Sequence, residues 1–302
     1  MKFILLSDMH LTSKQPRSRV GSITNDLRKK LKFIFKKAKE YNAHILQAGD
    51  LFDSPRDIFA LYEFIKIRAR FPEVEFYTIY GQHDSYMRNK NVLNNLAILS
   101  KASLVKILSK TPIRLEENIS LFGSSWKEDI PVPEKDKLNI LVIHKPIYSE
   151  ALFKDQEYTK HNTFLEKNKF DLILTGDIHR RLYFSEDFRH IINTGPILRL
   201  KITDYETDLG KHQPKMYLYD TSMRANIVPT IEIPCRQRPF DKRFKEEDSD
   251  SMFLGEDFYK SLSEQSNELS INQIISKLIS EHNNSEAIIN LLSNMENRLD
   301  FR

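Results

Sequence analysis

Gly49-Asp50-Leu51-Phe52-Asp53 follows directly on the apolar run His44-Ile45-Leu46-Gln47-Ala48. A run of that length bounded by glycine reads as a buried strand, and its last residues set a carboxylate at the carboxyl end of a sheet. In open α/β folds that edge is where ligands bind. One Gly-Asp after one strand is equally a plain turn. The same ending recurs, however, along the chain. Asp8 and His10 follow Phe3-Ile4-Leu5-Leu6, Gly81-Gln82-His83-Asp84 follows Phe76–Tyr80, His144 follows Ile140–Ile143, and Gly176-Asp177-Ile178-His179 follows Leu172–Thr175. Five strand ends that all carry metal-type ligands predict one shared site.

The segments between these ends predict the layers. A helix is expected over Ile23–Tyr41, with Leu27, Leu31, Ile34, Phe35 and Ala38 as its inward stripe, and another near Asp57–Arg70, closed by Pro72. A strand, a helix and a strand in succession imply parallel pairing with a covering helix. A short helix over Val92–Ser100, strands near Leu104–Leu108, Ile119–Phe122 and Leu138–Ile143, and a helix within 157–168 complete this part. Arg189–Asn193, Ile197–Ile202, Lys215–Asp220 and Asn226–Ile233 read as short strands with no helices between them. They predict an antiparallel meander that forms a second sheet packed on the first. Two sheets inside and helices outside give a four-layer α-β-β-α sandwich.

The 302 residues are 40% hydrophobic and 29% charged, enough for one large ordered core and a small appendage. Residues 1–235 read as the catalytic-type domain and 236–302 as a linker with two amphipathic helices, Ser270–Glu281 and Ser285–Arg298. These helices either dock on the chain's own core or bind a partner. A net charge of +4 permits an anionic partner without requiring one. The cations are clustered, though: residues 1–40 hold eleven Lys and Arg against three Asp and Glu. That block reads either as a solvated helix face or as a track for a phosphate backbone. The single Cys235 excludes an internal disulfide and a cysteine-rich zinc site, and a cytoplasmic location is expected. No run of 18 apolar residues is present, so no membrane span is expected.

Carboxylates, imidazoles and an amide are borderline-to-hard ligands suited to Mn, Fe, Zn or Mg. A carboxylate such as Asp50 can bridge two cations, and two ions about 3.5–4 Å apart stabilise both oxygens of an in-line phosphoryl displacement. Neither a Walker loop nor a Gly-x-Ser-x-Gly elbow is present.

Asp8-x-His10, Gly49-Asp50-x-x-Asp53, Gly81-Gln82-His83-Asp84, His144 and Gly176-Asp177-Ile178-His179 resemble, in order, the five motifs of the calcineurin-like metallophosphoesterases. Within that superfamily, Asp8-Met9-His10-Leu11, Gly49-Asp50-Leu51-Phe52-Asp53 and Asn193-Thr194-Gly195-Pro196 are most similar to SbcD-type DNA double-strand-break repair nucleases. The resemblance implies that Asp8, His10, Asp50 and His179 hold one divalent metal ion. Asp50, Gln82, His144 and Asp177 would hold a second. It implies His83 as the catalytic histidine with Asp84 orienting it, and Asp53 as a residue that steadies a ligand. Gln82 stands where the family has Asn, and Asp177 where it has the first His of Gly-His-x-His. Both changes favour oxygen-loving Mn, or Mg, over Zn.

The function implied is metal-dependent hydrolysis of DNA, exonucleolytic or endonucleolytic, in repair, recombination or replication. An SbcC-like coiled-coil ATPase is the implied partner, bound through the C-terminal helices, and homodimers are the family tendency. A compact version of this kind suits a phage, with host cytoplasm as its setting. Lys14, Arg17, Arg19, Lys145, Arg180 and Arg181 are the candidate phosphate contacts, joined by Arg199 and Lys201. The competing readings are a phosphodiesterase or phosphatase for small molecules or phosphoproteins, and a scaffold whose second metal site has decayed. Trp126, the only tryptophan, is expected in the core, and His44, His161, His190, His212 and His282, outside the motifs, are expected on the surface or satisfied in the core.

Overall fold

The computed structural model describes residues 1–86, 89–152, 156–200, 213–223, 228–236 and 240–241. The C-terminal helices and Lys201 lie outside the described residues. The chain opens with β1 (Lys2–Leu6), α1 (Ile23–Glu40), β2 (Ala43–Gln47), α2 (Ile58–Arg68), β3 (Phe76–Thr78), α3 (Asn95–Lys101) and β4 (Lys106–Ile107). It continues through β5 (Ile113–Leu115), β6 (Ile119–Ser124), β7 (Leu138–His144), β8 (Ile147–Tyr148), β9 (Thr159–Lys160) and α4 (His161–Lys167). The last elements are β10 (Leu172–Gly176), β11 (Leu182–Glu186), β12 (Arg189–Asn193), β13 (Lys215–Asp220) and β14 (Thr230–Glu232).

Side-chain alternation along the strands sorts the core into three layers of packing. Ile4 and Leu6 of β1 face α1 and α2, where they meet Leu27, Leu31, Ile34, Phe35 and Phe64. Phe3 and Leu5 face the opposite way, onto Ile140, Val142, Leu172 and Leu174 of the other sheet. Leu141, Ile143 and Ile173 then turn outward onto Phe164 and Leu165 of α4. The period of two in these central strands therefore gives helix, sheet, sheet, helix, as expected. The first three helices begin on side-chain caps that occupy an otherwise unpaired amide: Ser22 accepts from Asn25, Asp57 from Ala60 and Asn94 from Ala97.

Sheet membership differs from the sequence reading. The first sheet runs β14-β13-β1-β2-β3-β4 and the second β11-β12-β10-β7-β6-β5. The predicted meander is therefore split. β12 pairs parallel to β10 in the second sheet, while β13 returns to pair antiparallel with β1 in the first. Ile197–Leu200 is not a strand. The second sheet is built on β6, β7 and β10, which are parallel, and its antiparallel members β5 and β11 lie at the edges. Apolar alternation reports that a strand is buried on a face, not which of two stacked sheets it joins.

Candidate metal centre

Parallel register collects the motif residues. Leu6 lies opposite Gln47, and Gln47 opposite Thr78, so the segments carrying Asp8, Asp50 and Gln82 leave the first sheet side by side. In the second sheet Gly176 lies opposite His144, which brings the Asp177 segment alongside it. The two carboxyl edges then close on one another. A Cβ on Gly176 would stand 2.2 Å from the Ala48 carbonyl oxygen, and one on Gly81 would stand 2.4 Å from the Asp50 amide nitrogen. Both positions require glycine because backbone from another strand already fills the space.

On one side, His10 Nε2 and His179 Nε2 are 2.9 Å apart, and Asp8 completes a group whose ligand atoms all lie within 4.8 Å of one another. His10 Nδ1 is 3.3 Å from Asp53 Oδ1. On the other side, His144 Nδ1 donates to the Ala48 carbonyl at 2.8 Å. That bond leaves Nε2 facing Gln82 Oε1 at 2.8 Å and Asp50 Oδ2 at 3.4 Å. Gln82 Nε2 donates in turn to Asp177 Oδ1 at 3.0 Å. Asp8 Oδ2 and Asp50 Oδ2 are buried and accept no hydrogen bond. Imidazole nitrogens and unsatisfied carboxylate oxygens gathered in one space are the donor set of a cation site, since burial of such acceptors without a positive charge is costly.

The proton affinities carry the same signature. Burial pushes the Asp8 carboxyl up to about 7, against the pull of His144 and His10. Burial alone would depress His144, but Asp50 and Asp8 outweigh it and lift the imidazole to about 10. Desolvation, with the charge on His10, pulls the His179 imidazole down to about 3. Asp50 is held below the usual carboxylate range: His144 and His10 outweigh its burial. Either protons or a divalent cation balance these buried charges.

Asp50 Oδ1 accepts from the backbone N–H of His83 at 2.8 Å, and the His83 ring Nδ1 is 3.0 Å from the Asp53 carbonyl oxygen. Asp84 takes a different part from the one the resemblance implies. Its carboxylate accepts from the amides of Leu51, Phe52 and Gly81 and clasps two ligand loops together. The His83 ring is held by Asp53, not by Asp84. Sequence reasoning also passed over Asp57, whose carboxylate accepts from Ser13 N at 2.6 Å and ties the Thr12–Lys14 loop to α2. Ser7 was passed over too, and Thr194 entered only as part of the Asn193–Pro196 stretch. Ser7 N donates to Thr194 Oγ1 at 2.8 Å, while Asn193 Nδ2 donates to the Ile178 carbonyl beside His179. Small polar residues inside a strand-end loop have no sequence signal of their own.

Among the candidate phosphate contacts, Lys14, Arg17 and Lys145 are exposed, and Arg180 and Arg181 are half-buried. Lys14 is close enough to Asp53 to help hold its carboxyl below the ordinary value against burial, after the larger effect of His10. Arg19 is a correction. It is buried, its guanidinium bonded to Asp26 at 2.7 Å and to the Arg199 carbonyl, and it is not a surface cation. Arg199 is buried as well. Trp126, expected in the core, is half-buried.

The family model described as calcineurin-like phosphoesterase matches residues 1–181. The chain belongs to that family. Its fold is the metallophosphoesterase sandwich, its activity class is phosphoester hydrolysis, and its clustered Asp and His residues suit a divalent metal ion. No curated protein matches the chain. Solved structures similar to this one include a protein of Thermus thermophilus, at 13% identity and TM-score 0.47, covering 77% of this chain and 99% of that one. An archaeal phosphodiesterase aligns at 15% identity and TM-score 0.40, over 77% and 99%. The sulfate thiohydrolase SoxB of Thermus thermophilus aligns at 10% and 0.42, over 77% and 56%. No helix among the described residues is long and apolar enough to cross a membrane.

Proposed function

We propose that this phosphoesterase is a metal-dependent DNA nuclease of the SbcD type. The observation that carries the hydrolytic part is the convergence of Asp8, Asp50 and His144, whose ligand atoms lie within 4.8 Å of one another, with Asp8 Oδ2 and Asp50 Oδ2 buried and accepting no hydrogen bond. Asp8, His10, Asp50 and His179 would hold one divalent cation, and Asp50, Gln82, His144 and Asp177 the other, with Mn²⁺ or Mg²⁺ favoured by the oxygen donors of Gln82 and Asp177. Such cations supply positive charge to the phosphoryl oxygens and acidify water. His83, with Nδ1 engaged by the Asp53 carbonyl, has Nε2 left to protonate the leaving oxygen. Asp50 fixes the His83 backbone, so one carboxylate serves both ligation and alignment.

The DNA assignment draws on the motif resemblance and on the exposed Lys14 and Lys145, each within four residues of a ligand. Cations there meet phosphates without reading bases. The proposed partner is an SbcC-like ATPase engaged through Ser270–Glu281 and Ser285–Arg298.

The test is degradation of linear double-stranded and single-stranded DNA in Mn²⁺ or Mg²⁺, with a non-nucleic phosphodiester alongside and His83→Ala and Asp50→Ala as controls. Metal-dependent DNA cleavage lost in both variants supports the reading. Cleavage of the small diester alone, with or without an SbcC-like ATPase, moves the assignment to a small-molecule phosphodiesterase. No hydrolysis and an empty second site would establish a scaffold.

A further inference from the structure

Each half of the proposed metal centre takes ligands from both sheets. Asp8, His10, Asp50 and Gln82 follow strands of the first sheet, whereas His144 ends a strand of the second and Asp177 and His179 follow another. How one sheet is placed over the other therefore enters both proposed sets of ligands. Between the sheets lies one apolar cluster that includes Phe3, Leu5, Val142 and Leu174. Apolar burial is non-directional, so it resists separation of the sheets more than a small slide. Hydrogen bonds, which depend on distance and angle, are what fix a slide.

Ser7 makes such bonds. It stands between Leu6, the last residue of β1, and Asp8, and it is fully buried, as are Thr175 and Thr194. Its N–H donates to Thr194 Oγ1 at 2.8 Å, and Thr194 N donates back to Ser7 Oγ at 3.2 Å. Ser7 Oγ donates in turn to the Thr175 carbonyl at 2.7 Å, and Thr175 Oγ1 to the Lys145 carbonyl at 2.8 Å. One buried chain of bonds thus runs from the end of β12, through the end of β1, to the ends of β10 and β7. Alongside it, Asp177 N donates to Asp8 Oδ1 at 2.8 Å.

We propose that Ser7 and Thr194 are positioning residues for the metal centre: their reciprocal hydrogen bonds pin the first sheet to the second and so set the distance between Asp8 and His179. Neither residue is a ligand. Their hydroxyl protons are spent on the Thr175 and Gly195 carbonyls, and they act on the cations through the residues that follow or flank them. This rests on the two-cation reading and adds to it the device that keeps the two edges in step.

The full chain is titrated with Mn²⁺ while electron paramagnetic resonance follows the free ion, and the coupling between bound ions is read in the loaded protein. Urea unfolding of the metal-free protein reports stability separately. Ser7→Ala and Thr194→Val should each weaken Mn²⁺ binding about tenfold or more and alter the coupling, whereas Thr194→Ser, which keeps the hydroxyl, should stay within about threefold of the original chain. If Ser7→Ala fails to fold, the two Thr194 variants carry the comparison. A lower urea midpoint with Mn²⁺ affinity and coupling unchanged makes the bonds purely structural and overturns the proposal, with the centre intact. Equal losses in Thr194→Ser and Thr194→Val overturn it too, since the hydroxyl would then not be the cause. An original chain that binds fewer than two Mn²⁺ ions removes the two-cation reading, and this proposal with it.

Discussion

Two regions of this molecule bury charge, and they do so in opposite ways. At the metal centre Asp8 and Asp50 are fully buried, yet each keeps a carboxylate oxygen that accepts nothing. Behind Pro196, Lys30, Arg19 and Arg199 are buried too, but their charges run into main-chain carbonyls. Lys30 Nζ donates to Ile197, Arg19 to Arg199, and Arg199 to Arg236, with Asp26 pairing Arg19. The first region leaves acceptors that an added cation would answer, whereas the second turns most of its donors onto its own backbone. Buried charge alone does not mark a site. What marks one is a set of acceptors converging with no donor to answer them.

The contrast can be broken most decisively at Asp50. Asp50→Ala removes the carboxylate common to both halves of the centre, so hydrolysis should fall to background and metal analysis should show loss of both ions. Should that variant stay active, the centre is not where the chemistry occurs. His83→Ala keeps every proposed ligand and should cost about 10²–10⁴-fold in kcat with metal content retained. Within the centre, Asp177→His replaces an anionic oxygen with a nitrogen. Its ratio of Zn to Mn affinity, read by competitive metal titration, should rise about tenfold or more while the His10 side is unaffected.

The smallest effect belongs to the other region. Burial, reinforced by Arg199, lowers the Lys30 amine from 10.5 to about 7. The unfolded chain therefore binds more protons than the folded one between these two values, and stability should rise with pH across that window. Below pH 7 the cost of the buried charge is fully present. Urea unfolding followed from pH 7 to about 9.5, before tyrosines ionise, should show the rise, and Lys30→Met should flatten it. A slope unchanged by the substitution would remove Lys30 as its source.

The five strand ends were legible because each places a polar, ligand-type residue directly after an apolar run, a pattern that survives without any knowledge of neighbours. The helices were legible through stripes such as Leu27, Leu31 and Ile34. Lys30 falls on that same buried stripe, and spacing cannot distinguish a cation capped by a distant carbonyl from one in water. The sheet assignment of β12 and β13 failed for a related reason. Their partners, β10 and β1, are set by the path of the chain and not by residues within either strand. β11 was overlooked because Leu182–Glu186 is half-exposed along most of its length and shows no clean alternation. The role of Asp84 was misread because its partners are amides, which every residue offers.

Asp8, His10, Asp50 and Asp177 have φ of 43°, 44°, 50° and 87°. Left-handed backbone is tolerated by Asn, Asp and His better than by other side chains, and by glycine best of all. The residue types that suit these bends are thus also the types that hold metals, so a single choice at each position serves folding and ligation together. It also sets them at odds. Glycine at these four bends would relax the backbone while erasing the centre, so Asp and His there supply ligands that the bends themselves do not require.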